Sequence, residues 1–116
     1  MAVTIYHNPR CSKSRQTLAL LREHGIEPDI VEYLKTPPTA GELKRIIDLL
    51  GVSPRELMRT GETEFKANNL ADESHDDHTL IEAMCDYPRL IQRPIVIADQ
   101  QARIGRPPES VLEILP

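Results

Sequence analysis

Aromatic residues are scarce in this 116-residue chain: 3% in all, with one Phe, three Tyr and no Trp. With 40% hydrophobic residues overall, a buried core has to be assembled mainly from Leu, Ile, Val and Met. Cysteine is nearly absent too. Cys11 and Cys85 are too few for the disulfide framework of a small secreted domain, so neither metal nor disulfide is expected to be needed for folding. No apolar run approaches membrane-spanning length. The opening Met1-Ala2-Val3-Thr4-Ile5-Tyr6 has no basic region followed by a long apolar stretch, and the expected location is cytoplasmic. The net charge of −4 argues against a nucleic-acid or membrane surface. Internal repeats, low-complexity tracts and linkers are likewise missing. The length fits one domain, residues 1–116.

What is present begins with His7-Asn8-Pro9-Arg10-Cys11-Ser12-Lys13-Ser14-Arg15, a cysteine in a short loop between a strand, Ala2 to Tyr6, and a helix, about Ser12 to His24, stopped by Gly25. Backbone N–H groups at a helix start have no intrahelical partner, and the helix dipole is positive there. A thiolate at Cys11 gains both, and its pKa is expected to fall. Lys13, Arg10 and Arg15 add positive potential and could help to hold an oxyanion. His7 either joins them or only caps the strand and loop. An inert buried thiol would have apolar flanks, which Cys11 lacks.

A second strand, Asp29 to Tyr33, completes a parallel strand-helix-strand unit. Thr39 and Glu42 form a capping box, and Leu43, Ile46, Ile47 and Leu50 make the apolar stripe of a helix ended by Gly51. Ser53-Pro54-Arg55-Glu56 repeats the start signal. Residues 59–75 read as short helical turns and loop, broken at Asn68-Asn69. Residues 76–87 read as a helix with Leu80, Ile81, Met84 and Cys85 on its apolar face. Cys85 therefore reads as core packing rather than a second redox thiol. Pro88 ends that helix. Arg93 to Asp99 reads as a buried strand, Gln100-Gln101 as a tight connection and Ala102 to Gly105 as an antiparallel partner. Glu109 to Leu115 suggests a closing helix with Val111, Leu112 and Leu115 inward. The result is an α/β domain with a parallel first half and a final hairpin.

Two ways of building a site are excluded. Ser74-His75-Asp76-Asp77-His78 fits no closed zinc spacing, and acidic residues opening a helix are explained by capping and dipole; no metal site is expected. A phosphatase-type loop would need Arg six positions after the nucleophile, where Thr17 stands. That leaves arginines from elsewhere: Arg59 in Leu57-Met58-Arg59-Thr60-Gly61-Glu62, Arg93 before Pro94, and Arg106 after Gly105. Guanidinium forks suit tetrahedral oxyanions. Spacing alone does not bring the three together.

In order and spacing, these segments resemble the glutaredoxin-coupled arsenate reductases of the thioredoxin-like superfamily. The matching residues are His7-Asn8-Pro9, Cys11, Ser14-Arg15, Arg59-Thr60-Gly61-Glu62, Arg93-Pro94-Ile95-Val96, Arg106-Pro107 and Val111-Leu112-Glu113-Ile114-Leu115. The resemblance implies a four-stranded mixed sheet with a helical insert, about 39–87, between the second and third strands. It makes Cys11 the nucleophile, Arg59, Arg93 and Arg106 the oxyanion-binding residues, and Pro94 the cis-proline beside the cysteine. His7 and Ser14 match residues thought to favour the thiolate. Ser12-Lys13 stand where family members often carry Gly-Thr. The implied partners are arsenate, glutathione as co-substrate and glutaredoxin, with no tightly bound cofactor. Two other classes share the fold: glutathione-dependent thiol reductases without arsenate activity, and regulators that bind RNA polymerase. The regulators commonly carry C-x-x-C, and here Ser14 replaces the second cysteine.

Overall fold

The computed structural model describes residues 2–115. They divide into two compact units, one running to Thr36 and resuming at Arg93, the other Pro37–Gln92.

The first unit holds β1 (Val3–Tyr6), α1 (Ser12–Glu23), β2 (Asp29–Val31), β3 (Ile95–Ala98) and β4 (Gln101–Ile104). The sheet order is β2-β1-β3-β4. β2 is parallel to β1, while β3 runs antiparallel to both β1 and β4, so the sheet is mixed. Along β1 the pleat sends Val3 and Ile5 inward, where they meet Val96, Ala98 and Leu21. Helix α1 ends in a Schellman motif. Gly25, at φ 77°, donates to the Arg22 carbonyl and Ile26 to the Leu21 carbonyl, and Ile26 packs on the same core.

Two expectations for this unit need correction. The hairpin connection is Asp99-Gln100, one residue earlier than expected, with Ala98 opposite Gln101. Asp99 takes φ 55°, a left-handed conformation that Asp tolerates better than most residues. The closing segment, Pro108–Ile114, is a 3-10 helix rather than an α-helix. Its buried positions are Pro108, Val111 and Ile114, the three-residue period of that helix; Leu112 and Leu115 are only partly buried. The peptide bonds Arg93–Pro94 and Arg106–Pro107 are both cis.

The second unit contains α2 (Ala40–Leu50), α3 (Pro54–Leu57), α4 (Thr63–Ala67) and α5 (Asp77–Asp86). Both capping boxes form: Thr39 with Glu42 and Ser53 with Glu56 each exchange two backbone-to-side-chain bonds. Gly51, at φ 72°, stops α2, and Asp76 caps α5 by accepting the Thr79 N–H at 2.8 Å. Leu43, Ile46, Ile47, Leu80, Ile81 and Met84 are buried where α2 packs on α5. Cys85 is only partly buried, at the margin of the face on which it was expected. Its thiol pKa is raised, first by burial and then by Asp86, Glu82 and Glu42.

Candidate active site

Cys11 is the N-cap residue of α1. Its carbonyl takes the Arg15 N–H at 3.0 Å, as in any first helical turn, but its side chain is a thiol where Ser, Asp or Asn would normally cap. The thiol makes no capping hydrogen bond, but the Ser14 and Lys13 N–H groups are near enough to favour its ionised form. Asn8 shapes the loop: its carbonyl accepts the Cys11 N–H at 3.0 Å and its side-chain oxygen the Arg10 N–H at 3.0 Å, while its own N–H donates to the Ser14 hydroxyl at 3.0 Å. The same hydroxyl lies 2.6 Å from His7 Nδ1. Every member of this chain, His7, Asn8, Cys11 and Ser14, is buried.

Two arginines complete the sulfur's surroundings. One terminal nitrogen of Arg106 donates to Cys11 Sγ at 3.5 Å, and Nε of the same guanidinium donates to the Arg93 carbonyl at 2.7 Å. The fork therefore spans the sulfur and the backbone just before Pro94. Burial is the largest influence on the Cys11 pKa and raises it, since Cys11 is only 9% exposed. The Ser14 N–H, the charge and hydrogen bond of Arg93 and the Lys13 N–H act the other way, and together they hold the thiol below its ordinary value. The thiolate consequently adds stability to the fold. That contribution is complete above the unfolded thiol's pKa and is lost as pH falls through the lower folded one. Iodoacetamide alkylation in the Cys85→Ala background should follow an apparent pKa clearly below about 8.5. A profile at the free-cysteine value would show that these donors do not act on the sulfur.

His7 plays a different part from the cationic one considered for it. Burial is the main cause of its lowered pKa; Glu32 opposes this, and Arg15 and Arg22 add to it. A neutral ring supplies no positive potential to the sulfur. Its role here is to anchor the Ser14 hydroxyl, and so the first turn of α1. Ser14 lowers the sulfur's pKa through its backbone N–H, while its hydroxyl is engaged by His7 and Asn8. Arg15 is turned to the Pro9 carbonyl at 2.9 Å.

Pro94 belongs to the same unit; its carbonyl accepts the Gly105 N–H at 2.9 Å. Arg59 lies in the second unit. Its N–H donates to the Leu90 carbonyl at 2.7 Å, and its guanidinium is held by Glu62 at 3.3 Å and Gln92 at 3.0 Å. Glu62 also takes Arg89 at 3.3 Å. Neither Glu62 nor Gln92 stood out in the sequence as a partner of Arg59. The Glu62 contact, three residues away, was the readable one; Gln92 is thirty-three residues off. Among the described residues no group of three or more His, Cys, Asp or Glu side chains could hold a metal ion, and no helix is long and apolar enough to cross a membrane.

The profile of the ArsC family matches residues 6–114. The chain belongs to the ArsC family. It is 58% identical over 114 residues to the Uncharacterized protein YfgD of Escherichia coli (strain K12), covering 97% of this chain and 96% of that one. To an arsenate reductase of Rhizobium meliloti (strain 1021) it is 49% identical over 116 residues, covering 100% of this chain and 83% of that one. The solved structure of an arsenate reductase from Vibrio cholerae superposes with a TM-score of 0.97 at 53% identity, covering 99% of this chain and 98% of that one. As an ArsC-family protein the chain has the thioredoxin-like α/β fold: a four-stranded mixed sheet with its helical segment between the second and third strands.

Proposed function

We propose that this protein reduces arsenate to arsenite, with Cys11 as its single nucleophilic thiol and with glutathione and glutaredoxin as the source of electrons. The observation that carries the reading is the pair of guanidiniums, Arg93 and Arg106, acting on a thiol at the start of α1. A thiol reductase without an oxyanion substrate has no use for that much fixed positive charge. The arsenate reductases of Rhizobium meliloti and Vibrio cholerae, similar over nearly the whole chain, support the choice of arsenic as the central atom.

In this scheme the Cys11 thiolate attacks arsenic(V), and one arsenate oxygen, protonated, leaves as water. Arg93 and Arg106 neutralise the remaining oxyanion, and the family resemblance gives Arg59 the same task. Glutathione displaces a second oxygen as water and joins the arsenic through its sulfur. A glutaredoxin thiolate then attacks the glutathione sulfur. The two external sulfurs pair as a mixed disulfide, the electrons of the broken As–S bond stay on arsenic, and arsenic(III) remains on Cys11. Hydrolysis releases arsenite and restores the thiol. Two external thiols supply both electrons, so a second protein cysteine near Cys11 is unnecessary. Such chemistry belongs in a reducing compartment, which makes the cytoplasm the proposed location.

Purified protein given arsenate, glutathione and glutaredoxin should form arsenite, with turnover falling to background when either thiol source is omitted. Reduction of a glutathione mixed disulfide with no arsenite formed would instead favour the thiol-reductase reading.

A further inference from the structure

Gly105 differs from the chain's other four glycines. Gly25 and Gly51 serve turns with positive φ, and a Cβ on Gly25, Gly41, Gly51 or Gly61 would meet nothing within 4 Å. A Cβ on Gly105 would lie 2.5 Å from Thr17 Oγ1, 2.8 Å from Pro94 Cγ and 3.1 Å from Thr17 Cγ2. Its backbone does not take the positive φ that favours glycine, so the constraint is space alone. Here the chain leaving β4 presses on the buried side of α1.

Thr17 has little room to yield. It is fully buried, and its hydroxyl donates to the Lys13 carbonyl at 2.8 Å. Both branches of the side chain face Gly105, so turning about χ1 would swap one obstruction for another and give up that bond. On the other side, Gly105 is fixed by its N–H to the Pro94 carbonyl, and Arg106 donates its own N–H to Ile104 at 2.9 Å, turning the chain at once. Arg106 is the residue whose guanidinium reaches Cys11.

We propose that Gly105 and Thr17 form a spacer that sets how closely the Arg106 guanidinium approaches the Cys11 sulfur, by letting the end of β4 seat directly on the first turns of α1. They are positioning residues: neither is bonded to the sulfur, and both act through Arg106. This deepens the reading of Cys11 as the reactive thiol, but its test needs neither arsenate nor glutathione.

The measurement is the pH dependence of iodoacetamide alkylation of Cys11 in full-length protein carrying Cys85→Ala. Gly105→Ala should raise the apparent pKa by about 0.5 unit through loss of the 3.5 Å Arg106 contact, leaving roughly threefold less thiolate at pH values well below it, while the rate plateau at high pH stays unchanged. Thr17→Ala removes two of the three obstructing atoms. Pro94 Cγ at 2.8 Å remains, so the double variant Gly105→Ala/Thr17→Ala should recover a large part of the shift and not all of it, and Thr17→Ala alone should shift the pKa little. A folded Gly105→Ala protein with the parental pKa overturns the proposal, as does a double variant no better than Gly105→Ala. If Gly105→Ala fails to fold, recovery of both fold and pKa in the double variant supports the spacer, and failure of both variants to fold overturns it. A parent protein that titrates like free cysteine would instead defeat the reading of Cys11 itself.

Discussion

Cys11→Ser should abolish measurable arsenite formation, a loss of about 10³-fold or more, while Cys85→Ser stays within about twofold of the parent. The contrast follows from two different environments. Cys11 sits at a helix start with two backbone donors and Arg93 lowering its pKa. Cys85 has its pKa raised by burial and three nearby acids, so little of it is thiolate. The Cys11→Ser fold is expected to survive, because a serine oxygen is a better N-cap than sulfur and can accept the same Ser14 and Lys13 N–H groups. Loss of activity can then be assigned to chemistry after circular dichroism confirms the fold. Equal losses in both variants would make Cys85 a resolving thiol and require an intramolecular disulfide step.

The second large effect is expected from Arg→Lys at positions 93 and 106. Net charge is unchanged, yet kcat/KM should fall about ten- to a hundredfold at each. Arg106 uses two nitrogens of one plane, Nε on the Arg93 carbonyl and a terminal nitrogen on Cys11. A lysine has one nitrogen and must abandon one of them. Arg93→Lys should also raise the Cys11 pKa, since the arginine contributes both charge and a hydrogen bond there. Arg59→Lys tests the residue in the second unit and would loosen its hold on Glu62 and Gln92. A fall in kcat marks a grip tighter on the transition state than on bound arsenate; a rise in KM alone marks an equal grip on both. If all three variants keep the parental kcat/KM, none of the arginines holds the substrate and the oxyanion reading fails.

Much of this architecture was legible because its signals are local. Thr39 to Glu42 and Ser53 to Glu56 span four residues each, and the box needs nothing beyond its own turn. Gly25 and Gly51 ended their helices for the same reason. Where two periods fit the same residues, the reading slipped. Val111, Leu112, Ile114 and Leu115 satisfy an α-helical face as well as a 3-10 one, and the core settled it in favour of Pro108, Val111 and Ile114. At the hairpin, polar residues at 99, 100 and 101 offered no means of choosing the loop before the register was known.

In the site, Cys11 was readable from its flanks. The neutrality of His7 was not, because it depends on burial and on Glu32, Arg15 and Arg22. The role of Gly105 was equally hidden. Nothing near Gly105 in sequence announces Thr17, and only the packing of strand against helix makes a missing methyl group matter.

The sheet order places the first strand inside and hands its second edge to a strand from the far end of the chain. Cys11 and Arg106 are separated by 95 residues, and Arg93 by nearly as many. Bringing them together carries the entropic cost of closing a long loop, which the packing of the sheet has to offset. During synthesis the cysteine is made before either of the guanidiniums beside it. Without β3 and β4 in place the thiol would have neither arginine beside it and would keep only the local Ser14 and Lys13 N–H groups. The full set of groups that lower the thiol pKa therefore belongs to the finished sheet and not to the first strand and helix alone.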